Sequence, residues 1–139
     1  MRRALLVGLG VLVAIQLVPV SRDNGPGTVD AVEAPPEVKT LLRRVCANCH
    51  SGATEWPWYS RVAPVSWLVA HDVHEGREHL NFSKWTEYTP KDRAKKRAGI
   101  SDLVQGREMP LWYYLPMHSE AKLTDDDVQA IAGWADSGE

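Results

Sequence analysis

The residues of this chain whose types and spacing suit chemistry lie in one short stretch, Cys46-Ala47-Asn48-Cys49-His50. Two thiols three positions apart, followed directly by an imidazole, have the spacing of c-type haem attachment. Where a helix turns into a loop, each thiol reaches one vinyl group of a single porphyrin. The next residue then places a nitrogen ligand under the ring centre, on the proximal side of the iron. A thioether bond is irreversible, so even a small, partly open pocket keeps its cofactor. Other uses of these residues fit less well. A thioredoxin-type Cys-x-x-Cys needs a βαβ setting, and no stretch here alternates as a strand does. A zinc site needs four ligands. Cys46, Cys49 and His50 supply three and a distant His a fourth, but a His directly after the second Cys is poorly spaced for a tetrahedron. The chain has two cysteines in all, so no disulfide staples distant segments. A bridge between Cys46 and Cys49 is the remaining alternative, and His50 points away from it.

Iron held by one His has a sixth position to fill. Met109-Pro110 is the leading candidate: a thioether is soft, Met/His ligation marks electron-transfer cytochromes, and Pro110 stiffens the loop that carries it. The Met-Pro pair resembles that of small class I cytochromes c. Met117 is a rival in the same loop, and His71, His74, His79 and His118 are others, which would give a bis-His haem of lower potential. Further contacts are weaker. Trp56, Trp58, Tyr59 and Trp67 are candidates for the haem face or edge. Arg61 and Arg77 are candidates for the propionates, because a guanidinium matches a carboxylate bidentately. Lys91, Arg93, Lys95, Lys96 and Arg97 form a basic run that reads as a solvated face, or as a guide for an acidic redox partner.

The elements that must position these residues read as helices. Val38, Leu41, Leu42 and Val45 recur at helical spacing, which predicts a helix over 36–47 that delivers its C-terminus into the Cys-x-x-Cys-His stretch. A second helix is expected from Pro64 to Glu78. Thr89 as cap and Pro90 at the first position predict a third, ending at Gly106. Thr124 with Asp125, Asp126 and Asp127 predicts the last. With no alternating run and no internal repeat, the fold class is all-α: a small, cytochrome-c-like helical domain around one covalent haem.

Arg2 and Arg3 precede an almost wholly apolar run from Ala4 to Val20. A charged start followed by such a run is an export signal. With no good small-x-small cleavage site behind it, residues 1–20 are expected to stay as a membrane anchor rather than be removed as a signal peptide. Arg2 and Arg3 would remain inside, and the rest would lie on the periplasmic side. Residues 21–36, rich in Gly and Pro, read as a flexible linker, leaving 37–139 as the haem-binding domain.

Composition agrees. The 139 residues carry a net charge of −2 and include six Trp and a single Phe. Setting aside Arg2, Arg3 and Arg22, the 13 remaining basic residues face 18 acidic ones, a net of −5 from Asp23 onward. No basic stripe dominates, so no nucleic-acid partner is expected.

The stretch from Val38 to Ala135 resembles the bacterial haem-binding domain family of small exported c-type-cytochrome-like proteins. Its most specific pieces are Trp56-Pro57-Trp58-Tyr59-Ser60, Ala63-Pro64-Val65-Ser66-Trp67, Gly76-Arg77, Asn81-Phe82-Ser83 and Glu108-Met109-Pro110. The resemblance implies a single covalent haem, export and a redox role. The expected function is therefore a monohaem c-type cytochrome carrying electrons between redox proteins in the periplasm. The alternative is a haem peroxidase or a redox- or gas-sensing haem module, both of which need an open sixth position.

Overall fold

A computed structural model describes residues 1–138. Among these the chain forms six α-helices and no strand: α1 Arg2–Ile15, α2 Pro36–Val45, α3 Ala47–His50, α4 Val65–His79, α5 Pro90–Gln105 and α6 Asp125–Asp136. The expected all-α class is found.

Local chemistry explains most boundaries. Pro36 opens α2, whose buried face is Val38, Leu42 and Val45. The helix expected to run to Ala47 breaks at Cys46, and a single separate turn, α3, carries Asn48, Cys49 and His50. Thr89 caps α5 by accepting from the Asp92 amide at 3.2 Å. At α6, Thr124 accepts from the Asp127 amide at 3.1 Å and Asp127 accepts from the Thr124 amide at 3.0 Å. The cap and the capping box satisfy N–H groups that the first turn leaves without partners.

Helices α5 and α6 pack together, with α2 against α6. Trp85 is fully buried at the centre, its ring 6.1 Å from Phe82, 6.1 Å from Tyr88 and 6.4 Å from Trp134. Ile100 and Val104 of α5 and Ile131 of α6 complete this core. Arg97, from the basic run, is buried beside it; its guanidinium donates to the Trp134 carbonyl at 2.7 Å and stands 4.7 Å from the Trp134 ring. The run is thus not one solvated face.

Two expectations need correction. Residues 21–36 are not a free linker. Val29 and Val32 are fully buried in the core, and Lys39 and Arg43 of α2 hold Asp30. Three residues apart on a 3₁₀ turn and its cap, the two valines fall on one side of the segment. The membrane anchor is the second. Helix α1 has 14 residues, about 21 Å at 1.5 Å per residue, against about 30 Å of hydrocarbon. No helix among the described residues is long and apolar enough to cross a membrane. The helix ends where Gln16 turns its side chain onto the body: the Gln16 amide donates to the Ala63 carbonyl at 3.1 Å and accepts from its N–H at 2.9 Å.

Candidate functional site

A cavity of about 660 Å³ opens between α3, α4, α5 and the loop after α5, within the range of small-molecule and cofactor clefts, roughly 300–1,000 Å³. Cys46, Cys49 and His50 lie together on one wall, and Phe82, Ile100, Leu103 and Val104 make much of the rest.

His50 is held in one orientation. Its Nδ1 donates to the carbonyls of Gly76 at 2.8 Å and Leu80 at 3.1 Å, and its ring meets Phe82 edge-on at 6.4 Å. Burial holds the imidazole below its ordinary pKa, against the raising effect of those carbonyls. With the proton fixed on Nδ1, Nε2 carries the lone pair, the state a metal-ligating imidazole requires.

The approach of α4 to this turn depends on Gly76. A Cβ there would lie 2.8 Å from the Cys49 carbonyl oxygen and 3.3 Å from the Cys49 Cβ. Only a glycine lets the two backbones come this close.

The thiols are unjoined. Burial pushes Cys46 up to about 12, helped by Cys49, and Cys49 up to about 11, helped by Asp72, opposite to the shift of reactive Cys-x-x-Cys thiols. Among the described residues no cluster of three or more His, Cys, Asp or Glu is placed to hold a metal ion.

Met109 faces the same cavity. Helix α5 stops at Gly106, and the left-handed residue is the next one, Arg107, at φ 57°. The amides of Glu108 and Met109 then both donate to the Leu103 carbonyl, at 2.9 and 3.2 Å, which ties the Met109 backbone to the helix end. Arg107 donates to the Leu123 carbonyl at 3.0 Å and pairs with Asp125. Further along, Tyr113 donates to Asp72 at 3.2 Å and Tyr114 accepts from Asn48 at 3.1 Å. These bonds fasten the Met109 loop to α4 and to the Cys-x-x-Cys-His turn.

The model of the haem-binding domain family matches residues 10–137. The chain belongs to the haem-binding domain family. No curated protein and no solved structure matches it. The match spans the packed 21–36 segment as well as the helices, and it identifies haem as the ligand of this domain. The cavity fits that group: it has apolar walls, an imidazole nitrogen for iron, and Gly99 in mid-helix on the wall. A Cβ at Gly99 would meet no protein atom within 4 Å. The protein's own packing therefore gives no reason for a glycine there, whereas a flat ligand lying close to α5 does.

Measured against this cavity, the expected site residues divide. Cys46, Cys49, His50 and Met109 line it together. Of the rival sixth ligands, only His79 shares the wall. Met117 is 58% exposed, His71 is exposed, His74 pairs with Glu78, and His118 lies between Tyr59 at 2.5 Å and Glu120 at 2.9 Å, stacked on Tyr114.

The expected aromatic and arginine contacts lie elsewhere. Arg77 donates to the carbonyls of Ser51 and Asp23 and to the side chains of Asn24 and Thr54. It clamps two loops and has little left for a propionate. Arg61 is exposed, away from the wall. Trp56 donates to Asn24 at 3.0 Å, Trp58 is 71% exposed, and neither Tyr59 nor Trp67 reaches the cavity. Sequence reasoning missed Tyr114, Leu111 and the α5 stripe containing Lys95 and Lys96, all on the wall. The 3-and-4 spacing of Lys96 from Gly99 and Ile100 was the available signal.

Proposed function

We propose that the chain is an exported monohaem c-type cytochrome that carries single electrons. The observation behind this reading is the arrangement at α3. Cys46 and Cys49 share a cavity wall with an imidazole whose Nδ1 is bonded to two carbonyls, and Met109 is tied to the helix end on that same cavity. Cys46 and Cys49 hold the macrocycle through thioethers. His50 Nε2 and Met109 would be the residues that ligate the iron, His50 as the proximal ligand and Met109 as the distal one. Bound haem supplies reversible one-electron chemistry; the chain orients it, excludes water with Phe82, Ile100 and Leu103, and closes the sixth position. A peroxidase or gas sensor needs that position open, which the tethering of the Met109 loop works against.

Export follows from the charged, apolar start, with the domain on the periplasmic side, where it meets its redox partner proteins. A reporter active only in the periplasm, fused after Gly27, is expected to be active.

The deciding experiment is an optical and potentiometric titration of the purified holoprotein. The expected result is a low-spin ferric spectrum with the weak red band of Met–iron bonding and a reversible one-electron couple. A high-spin ferric spectrum that shifts on adding cyanide or peroxide would overturn the carrier reading in favour of the peroxidase or sensor.

A further inference from the structure

Helix α5 presents a graded face to the cavity. Asp92, Lys95, Lys96, Gly99, Ile100 and Leu103 line it, at successive steps of three, one, three, one and three, which is a single helical stripe. The first half is charged and the second apolar, with Gly99 between. From Lys96 to Leu103 the face runs about 10 Å along the axis at 1.5 Å per residue. From α4 the lining takes Asp72, Glu75, Glu78 and His79. Among the charged lining residues, α5 therefore supplies the lysines and α4 mainly carboxylates.

A haem is graded in the same sense, with two propionates at one edge and alkyl groups around the rest. We propose that Lys95 and Lys96 seat the haem propionates, and that the carboxylates of α4 repel them, so that α5 sets which way the macrocycle lies. This rests on the reading of the cavity as the haem site. Two observations carry it. The residues expected to take the propionates are engaged or distant, Arg77 by four acceptors and Arg61 by its position off the wall. And Gly99, one turn past the lysines, leaves the stripe open to a flat group.

Both lysines have donors to give. Lys95 is exposed and has no hydrogen-bond or ion-pair partner among the described residues. Lys96 donates one bond, to the His79 carbonyl at 2.7 Å, and its ammonium stands 4.4 Å from the Tyr88 ring. An ammonium has three donors, so two remain. Asp92 is the one acid on the α5 stripe, and its carboxylate already accepts from the Thr89 hydroxyl at 2.7 Å.

The test is Lys95→Gln/Lys96→Gln in the holoprotein, with Lys91→Gln as control; Lys91 is exposed, on the same helix and off the wall. The titratable groups on these two helices that line the cavity are Lys95, Lys96 and Asp92 from α5 and Asp72, Glu75, Glu78 and His79 from α4. With the lysines present the propionates stay ionised and the midpoint potential is flat from pH 5 to 8. Without them only His79 stands against the carboxylates of Asp72, Glu75, Glu78 and Asp92, so the propionates protonate in that range and the potential becomes pH-dependent. The propionate bending mode in resonance Raman should shift in the double variant, stay in Lys91→Gln, and return in Lys95→Arg/Lys96→Arg. An unchanged mode and a flat pH profile in the double variant, with haem still attached, would overturn the proposal. Wild-type protein without bound haem would overturn the underlying reading, and the proposal with it. Should the double variant fail to fold, the single Lys95→Gln decides by the same two readouts, because Lys95 makes no contact the fold requires.

Discussion

Replacing Gly76 with Ala tests whether the α3–α4 approach holds the site. Two effects oppose. Alanine in a helix interior is worth about 1 kcal/mol over glycine. Against this, the new Cβ would sit 2.8 Å from the Cys49 carbonyl oxygen, a backbone atom that cannot swing aside. Reaching an ordinary 3.4 Å contact needs a shift of about 0.6 Å. Overpacking of that kind costs about 1–3 kcal/mol. The shift also lengthens the 2.8 Å bond from His50 Nδ1 to the Gly76 carbonyl, worth about 0.5–1.5 kcal/mol. The net is a loss of about 0.5–3.5 kcal/mol, or roughly 4–8 °C of Tm per kcal/mol for a domain near 100 residues. Gly133→Ala is the control. It lies in α6, and its Cβ would meet nothing within 4 Å, so that variant should gain up to about 1 kcal/mol. The assay is thermal unfolding by circular dichroism, paired with the ferric spectrum. Gly76→Ala should melt lower, with a perturbed haem band. A Gly76→Ala protein that melts with Gly133→Ala and keeps the wild-type spectrum would refute the argument.

Three further outcomes follow from the same structure. Met109→Ala should turn a low-spin ferric haem high-spin while Met117→Ala leaves it unchanged, as read by the ferric spectrum; the opposite pattern would move the ligand to Met117. Trp85→Ala removes the centre of the core and should cost about 3–5 kcal/mol in urea unfolding, and a loss below about 1 kcal/mol would remove Trp85 from that role. Asp127→Asn should lose about 1 kcal/mol at neutral pH, since Asp127 closes the α6 capping box and pairs with Arg44 at 2.8 Å. The hydrogen bond from the Thr124 amide, then that from Arg44, holds the Asp127 carboxyl below its ordinary 3.8. Its contribution is therefore present above pH 3.8 and lost as pH falls through the lower folded value. Wild type and Asp127→Asn should converge in acid, and a difference that stays constant down to pH 2 would contradict this.

The parts legible in the sequence were those set by local chemistry. Thr89 and Thr124 announce their helices because a cap acts over three residues. Val38, Leu42 and Val45 announce a buried face because the helix repeat puts them there. Cys46, Cys49 and His50 share a wall because they share a turn. What was illegible depends on partners distant in sequence. Arg77 reads as a candidate for a carboxylate, and Lys95 as part of a solvated face, until the fold brings Ser51, Asp23 and Thr54 to Arg77. The closeness of Gly76 to Cys49 is a tertiary contact 27 positions apart, which no local pattern encodes. Residues 21–36 read as linker by their glycines and prolines, yet Val29 and Val32 bury completely because the groove they fill is made by segments that follow them. The apolar run to Val20 sets no helix end by itself; the contact of Gln16 with Ala63 does.

The central claim is that Cys46 and Cys49 hold one haem covalently, and intact-mass measurement tests it most directly. The protein is made in a host that matures c-type cytochromes, then denatured and extracted with acidified solvent before weighing. The expected result is a chain heavier by one haem, with Cys46→Ser/Cys49→Ser returning to the mass of the bare polypeptide. A wild-type chain that weighs as bare polypeptide after extraction, with the haem in the solvent, would contradict it.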